Sequence, residues 1–468
     1  MPTPPSDAEH LESPGKPKSS LSSGQDRSPA TWDIIDCIRL SSVDLPEQEA
    51  VLESVHFFNT RFLPEVAPAH APFKRVHLAA AGWLAAPRVM QVSLVVITKA
   101  MQQSRASAAP SVDRSLLRYR GICLAELMAL VTEVNFESQA MAFDCIQLVL
   151  LAELQLEPTG PWAYHMEAAR RLIDLQGGIG SMFYKSSLRN LLINYMELDI
   201  STTTTCNLSL LNAHDVNAQS TYIPLLAHRE EETITTAGFS PIHLLQAIVD
   251  TNKLRLRCSQ PSSTSRDQHP RNAEFNRIQE SIAQFDPSPW ATRILNYGSI
   301  LPRPAAALFF AEQDESAMIS LALCHQAAAM LYLHLSCSPS ISNLKVDLKF
   351  LSSTHQTLAN NLSKLLAQIS LDTEGPIHTQ LHKYATWPLV MAAYARVGWD
   401  VGAVGDEVEG DAEPDLERLR SAASSIGSRP LMVAASVMER ARDRRALRVG
   451  GSWAWDDAFP ARCSFCVL

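Results

Sequence analysis

The chain has 468 residues, 46% of them apolar and 19% charged. That balance excludes a disordered polypeptide and leaves ample material for a core, whether in two or three average domains or in one large helical body. A formal charge of -9 excludes broad, sequence-independent nucleic-acid binding, which needs a basic surface to displace counterions.

Residues 1–30 are rich in Pro, Ser and Lys and read as a disordered arm. They contain no apolar core of the kind a signal peptide needs. From Trp32 onward the pattern is helical. Pro46–Leu63 opens on acidic residues that favour a helix N-terminus. Phe73–Ala86 and Pro87–Arg105 are Ala-rich and Val-rich helices separated by a proline. In Ser111–Glu133, Leu117, Gly121, Leu124, Met128 and Val131 fall on a single stripe, which predicts a core-facing side. Asn135–Leu156 is apolar on most sides, as an interior helix would be.

The run PWAYHMEAARRLIDLQGG, Pro161 to Gly178, is the most informative. Pro161 suits a first helical position, and Gly177 or Gly178 suits a left-handed stop after Gln176. Trp162, Met166, Ala169 and Ile173 recur at helical spacing, while Glu167, Arg170 and Arg171 decorate the other face.

Ser187–Ser201 is a further amphipathic segment. Thr202–Gly238, crowded with Thr, Asn and Ser, predicts a long surface connection. Pro241–Arg257 returns to helical periodicity, and the polar stretch 259–271 predicts a mobile insertion. Helices follow at Asn272–Gln284, Glu312–Ser336, Ser352–Ile369, Ile377–Arg396, Pro414–Ala423 and Pro430–Leu447. Ser316–Ser336 carries no formal charge, but His325, Gln326 and His334 fit a buried central helix better than a membrane span. A proline at 388 favours a kink beside Trp387. No long alternating run predicts a sheet. The expected class is all-α: a large single domain over 31–460, of about twelve or more antiparallel, partly stacked helices, followed by a tail at 461–468.

The wording of the Pro161–Gly178 helix resembles that of the fungal-specific transcription factor domain, the helical region downstream of the zinc binuclear cluster in fungal regulators. Four other segments share the likeness in order: RYRGICLAELMALVTE, YMELDIS at Asp199–Ser201, YATWPLVMAAYARV around Trp387, and Trp453 with Trp455 near the end. The resemblance implies a nuclear transcriptional regulator (or, as the alternative, a cytoplasmic protein) controlling a metabolic or secondary-metabolite gene set.

In that family a module of closely spaced cysteine thiolates holds two zinc ions and reads DNA. Here Cys37, Cys123, Cys145, Cys206, Cys258, Cys324 and Cys337 are isolated, and only Cys463 and Cys466 stand three positions apart. No metal and no cofactor is therefore expected, and the scattered thiols read as reduced and buried. Direct DNA binding is not expected; action through a DNA-binding partner protein is. The alternative is that the cysteine cluster is encoded upstream of Met1. The family often dimerises through a coiled coil ahead of this body, and no heptad run stands out here.

Other chemistry is thinly supported. His378 and His382 share a helix face, but HTQLH lacks the glutamate of an HExxH zinc hydrolase. No phosphate loop, nucleophile elbow or dinucleotide fingerprint is present. Glu439–Arg448 is the densest basic cluster and reads as a solvated helix face. The stripe Tyr384, Trp387, Met391 and Tyr394, with Trp162 and His165 on the signature helix, is the candidate surface for a small-molecule effector or natural-product intermediate. The competing reading is an enzyme or carrier on a repurposed helical scaffold, performing for example a cyclisation or pericyclic step. No catalytic residue can be named for it.

Overall fold

The computed structural model describes residues 45–62, 78–105, 114–132, 138–156, 162–184, 189–232, 240–259, 268–297, 312–337, 347–371, 385–398, 413–426, 429–446 and Trp455. Every regular element among them is helical, as the periodicity predicts.

The N-terminal part holds α1 (Leu45–Phe57), α2 (Ala80–Leu84), α3 (Arg88–Arg105), α4 (Arg114–Thr132) and α5 (Ser138–Leu156). Helix α3 packs on α1, α4 and α5. Arg88 ties these helices together, bonding Glu47 of α1 at 3.0 Å and Glu126 of α4 at 2.8 Å. Arg120 of α4 pairs with the buried Glu153 of α5 at 2.7 Å through two parallel bonds, a geometry that fixes register as well as charge.

One expectation fails on α4. Leu117, Met128 and Val131 of the expected core stripe are exposed, and it is Leu116, Cys123 and Leu127 that enter the core. Both sets have helical spacing, so periodicity alone could not choose between them.

The signature helix is α6 (Trp162–Leu175). Trp162, Met166, Ala169, Leu172 and Ile173 are buried against α5. Glu167 bonds Arg170 and Arg171 on the outer face. The glycine stop takes the form of a Schellman motif: Gly178 N–H bonds the Ile173 carbonyl at 2.9 Å and Gly177 N–H that of Asp174 at 3.1 Å. Gly177 sits at φ 85°, where a Cβ would be strained. Helix α7 (Ile179–Phe183) follows directly.

Helix α8 (Arg189–Thr204) runs three residues past its expected end. The expected surface connection at 202–238 is instead structured as far as Glu232. It forms a turn of 3-10 helix at Leu208–Leu210, α9 (Ala213–Ala218), a second 3-10 turn at Gln219–Thr221 and α10 (Tyr222–Glu232). Its polar composition misleads because the polar groups are used inside. Thr202 to Thr205 are buried and bond carbonyls of the preceding helical turn. Asn212 caps α9 by accepting from His214 N–H.

The C-terminal part contains α11 (Ile242–Ser259), α12 (Gln268–Ala283), α13 (Pro287–Tyr297), α14 (Glu312–Cys337), α15 (Leu348–Leu371), α16 (Thr386–Gly398), α17 (Glu413–Ile426) and α18 (Arg429–Ala446). Helix α13 has no expected counterpart. Its prolines lie in the first turn, where an N–H has no helical partner to lose, and Asp286 accepts from Ser288 N–H ahead of it. Of the insertion expected at 259–271, Ser259 belongs to α11 and 268–271 to α12; 260–267 lie outside the described residues. Pro388 falls in the first turn of α16 instead of kinking a helix interior.

Helix α14 is the axis of this half, packed on α11, α12, α13, α15 and α16. It is long and apolar enough to cross a membrane, but 78% of its most apolar window is buried inside the bundle. The largest apolar cluster is continuous from Val89 on α3 to Trp455 and joins both halves.

Candidate functional site

The polar groups buried deepest gather where α8 ends. The final carbonyls of a helix lack intrahelical donors and must be satisfied from elsewhere. Here Arg255 of α11 supplies them, donating from Nη1 to the Thr203 carbonyl at 3.1 Å and from Nη2 to that of Cys206 at 2.6 Å. A guanidinium at a helix C-terminus also faces the negative end of the helix dipole. Trp455 completes the cap by donating Nε1–H to the Thr204 carbonyl at 3.0 Å.

A chain of side-chain bonds leaves this point. Trp387 Nε1 donates to Thr204 Oγ1 at 3.0 Å. Gln219 Nε2 donates to Thr203 Oγ1 at 2.7 Å, and Asn252 Nδ2 donates to Gln219 Oε1 at 3.1 Å. Tyr332 of α14 then donates its hydroxyl to Asn252 Oδ1 at 2.6 Å. Around the polar chain stands an aromatic wall: Trp387 stacks on His325, Tyr332 meets Trp455 edge-on at 5.2 Å, and Tyr394 lies 4.1 Å from Trp455 between ring centres. Elements as far as 251 residues apart in sequence are thus pinned to one helix end.

Asp199, one turn earlier on α8, extends the network outward. It is bonded by Tyr222 and by Gln219, and burial pushes its carboxyl up to about 6. Tyr222 also bonds Tyr195, and burial drives both phenols far above their ordinary value. Both phenols stay neutral near neutrality and serve this end of the network as hydrogen-bonding groups around the Asp199 carboxyl.

The residues expected to receive a ligand fall into two groups. Trp387, Met391 and Tyr394 lie together on α16, all buried. Tyr384 lies outside the described residues. Trp162 and His165 sit on α6 against α5. Trp162 is buried, whereas His165 is half-buried near the Glu153–Arg120 pair, with its pKa lowered by burial. The sequence reading missed Thr203, Thr204, Gln219, Asn252, Arg255 and Tyr332. A signal did exist in α11, where Asn252 and Arg255 interrupt the apolar stripe through Leu244, Ile248 and Leu254. Polar residues on a buried face need partners in the interior.

Burial holds the Cys123, Cys145 and Cys337 thiols in their protonated form, pushing Cys123 up to about 11 and Cys145 and Cys337 up to about 12. Among the described residues no group of three His, Cys, Asp or Glu is placed to hold a metal ion. His378, His382, Cys37, Cys463 and Cys466 lie outside the described residues.

The chain is similar to a protein of Leptosphaeria maculans described as a phomenoic acid biosynthesis cluster-specific transcriptional regulator, at 24% identity over 345 residues. The similarity covers 72% of this chain and 57% of that protein, so the chain spans little more than half of its relative's length. No solved structure matches. Residues 67–398, most of the helical body, match the fungal specific transcription factor domain, and the chain belongs to that family.

Proposed function

We propose that this chain is a nuclear regulator of transcription for a fungal biosynthetic gene set. The observation that carries the reading is the family match across residues 67–398, which spans most of the bundle built around the α8 end. The description of the Leptosphaeria maculans relative as a cluster-specific regulator supports a biosynthetic gene set as the target.

A net charge of -9 favours recruitment to promoters through a partner that reads DNA over direct contact with phosphates. An effector would act by preferring one arrangement of the bundle over another. The seam between α8 and α16 suits that role, because Trp387, Met391 and Tyr394 present their aromatic and thioether surfaces beside the polar pin at Thr204. Trp162 and His165 on α6 form the second proposed contact area for a natural-product intermediate.

Chromatin immunoprecipitation of the tagged protein tests the proposal. Recovery of promoters of one co-located gene set, lost when a DNA-reading partner is deleted, is the expected result. A protein confined to the cytoplasm, with no promoter enriched, would overturn it.

A further inference from the structure

The indole of Trp455 is seated like a bound ligand. It comes from beyond α18, which ends at Ala446, and it is 1% exposed. Its ring centre lies 4.1 Å from that of Tyr394 on α16 and 5.2 Å from that of Tyr332 on α14. Its Nε1–H donates to the Thr204 carbonyl at 3.0 Å. That carbonyl belongs to the last residue of α8, where the negative end of the helix dipole favours a donor.

The helices that frame this slot are fastened to one another by bonds that do not involve Trp455. Trp387 ties α16 to α8 through Thr204 Oγ1, Arg255 ties α11 to α8, and Tyr332 ties α14 to α11 through Asn252. Taking the indole away therefore removes one side chain and leaves the tyrosine walls and the carbonyl where they are. A slot held by its own frame is preorganised, so an occupant does not have to order it. Aromatic walls with a convergent polar group are also the common form of a small-molecule site. Here the polar group is an acceptor, so it selects a flat aromatic molecule with an N–H or O–H at its edge. A carboxylate or phosphate would meet both the carbonyl and the dipole with the wrong sign.

We propose that this slot is an effector site for planar aromatic metabolites bearing an N–H or O–H donor, and that Trp455 is its built-in competitor. This takes the α8–α16 seam to be an effector site, as proposed above, and adds its ligand class and its switch. A free ligand displaces the indole, takes over its bond to the Thr204 carbonyl and releases Trp455 from the bundle. Tethering gives Trp455 an effective concentration on the order of millimolar, so free indole competes in that range.

Fluorine NMR of the full chain labelled with 5-fluorotryptophan tests this, with indole as the probe. The Trp455 resonance is the one missing from Trp455→Phe. In the wild type, indole at about 1–10 mM moves that resonance from a buried to a solvent-exposed position. The Trp387 resonance stays buried, which separates release from unfolding. Trp455→Ala leaves the slot open and binds indole about tenfold or more tightly than the wild type, because an indole seated about 90% of the time leaves about a tenth of the molecules competent. Trp455→Phe keeps a ring and loses the donor, so it also binds indole more tightly than the wild type, and it carries the comparison if the alanine variant fails to fold. Benzofuran, which has the shape of indole without the N–H, binds either variant about fivefold or more weakly than indole does.

Indole that binds Trp455→Ala or Trp455→Phe but leaves the wild-type Trp455 resonance buried would overturn the proposal and leave the seam standing as a ligand site. Release of Trp387 together with Trp455, or benzofuran binding as tightly as indole, would overturn it as well. Absence of indole binding to all three proteins would overturn both the proposal and the seam as an effector site. Promoter recovery, read in cells, is independent of each of these results.

Discussion

Thr204→Val is the sharpest probe of the pin at the end of α8. The side chains are nearly the same shape, so packing is conserved and the change is in hydrogen bonding. Thr204 Oγ1 accepts from Trp387 Nε1 at 3.0 Å and donates to the Ser201 carbonyl at 2.6 Å, in surroundings that bury both Thr204 and Trp387. Valine leaves the indole N–H without an acceptor, at about 1–3 kcal/mol, and loses the second bond at about 0.5–1.5 kcal/mol. The expected loss is therefore about 1.5–4.5 kcal/mol of unfolding free energy. Trp387→Phe removes the donor and part of the ring, so it destabilises by lost packing. Once the donor is gone, the threonine substitution costs less. The double variant should be more stable than the sum of the single effects by about 1–3 kcal/mol. Urea unfolding followed by far-ultraviolet circular dichroism measures all four proteins. A Thr204→Val protein within about 0.5 kcal/mol of wild type, or strictly additive effects, would refute the argument that this bond pins α16 to the end of α8.

Other perturbations have directions set by local chemistry. His334 lies buried between Phe275 and Phe350, neither ring nitrogen has a partner among the described residues, and burial lowers its pKa to about 4. Its neutral form is the one that folds, so stability is complete above the unfolded value near 6.5 and falls as pH drops towards about 4, by about 3 kcal/mol in all. His334→Leu should flatten that part of the acid limb in pH-dependent melting. Gly177→Ala places a Cβ at φ 85°, 3.3 Å from Ser181 Oγ, and should cost about 1–2 kcal/mol by chemical denaturation. Arg120→Met strands the buried Glu153 carboxylate and should destabilise by about 3 kcal/mol. Because the Arg120 cation helps lower the His165 pKa, that pKa should rise in an NMR titration of the variant.

The helices were legible where one face is apolar and the ends carry their own punctuation. The Gly177–Gly178 stop of α6 is the clearest case, since only glycine accommodates that conformation readily and the sequence states where it occurs. Periodicity misled on α4, where two apolar stripes about a quarter-turn apart compete and only the tertiary structure decides which is covered. Composition misled at Thr202–Thr205. Four consecutive threonines look like surface, yet their hydroxyls bond back to the preceding helical turn and their methyl groups fill the interior. The central network was invisible for a related reason. Thr204, Asn252, Tyr332, Trp387 and Trp455 meet only after folding, and no local spacing encodes a contact between residues 183 or 251 positions apart. What could be read was the anomaly of Asn252 and Arg255 on an apolar face, and the aromatic line on α16.

The central proposal is that this helical body regulates the transcription of a biosynthetic gene set. A deletion strain scored in parallel for transcripts and metabolites measures that directly. The account predicts that the transcripts of one biosynthetic gene set fall together and that the set's end product and its intermediates disappear with them. Unchanged transcripts with one late intermediate accumulating would contradict it and place the chain among the enzymes of the pathway.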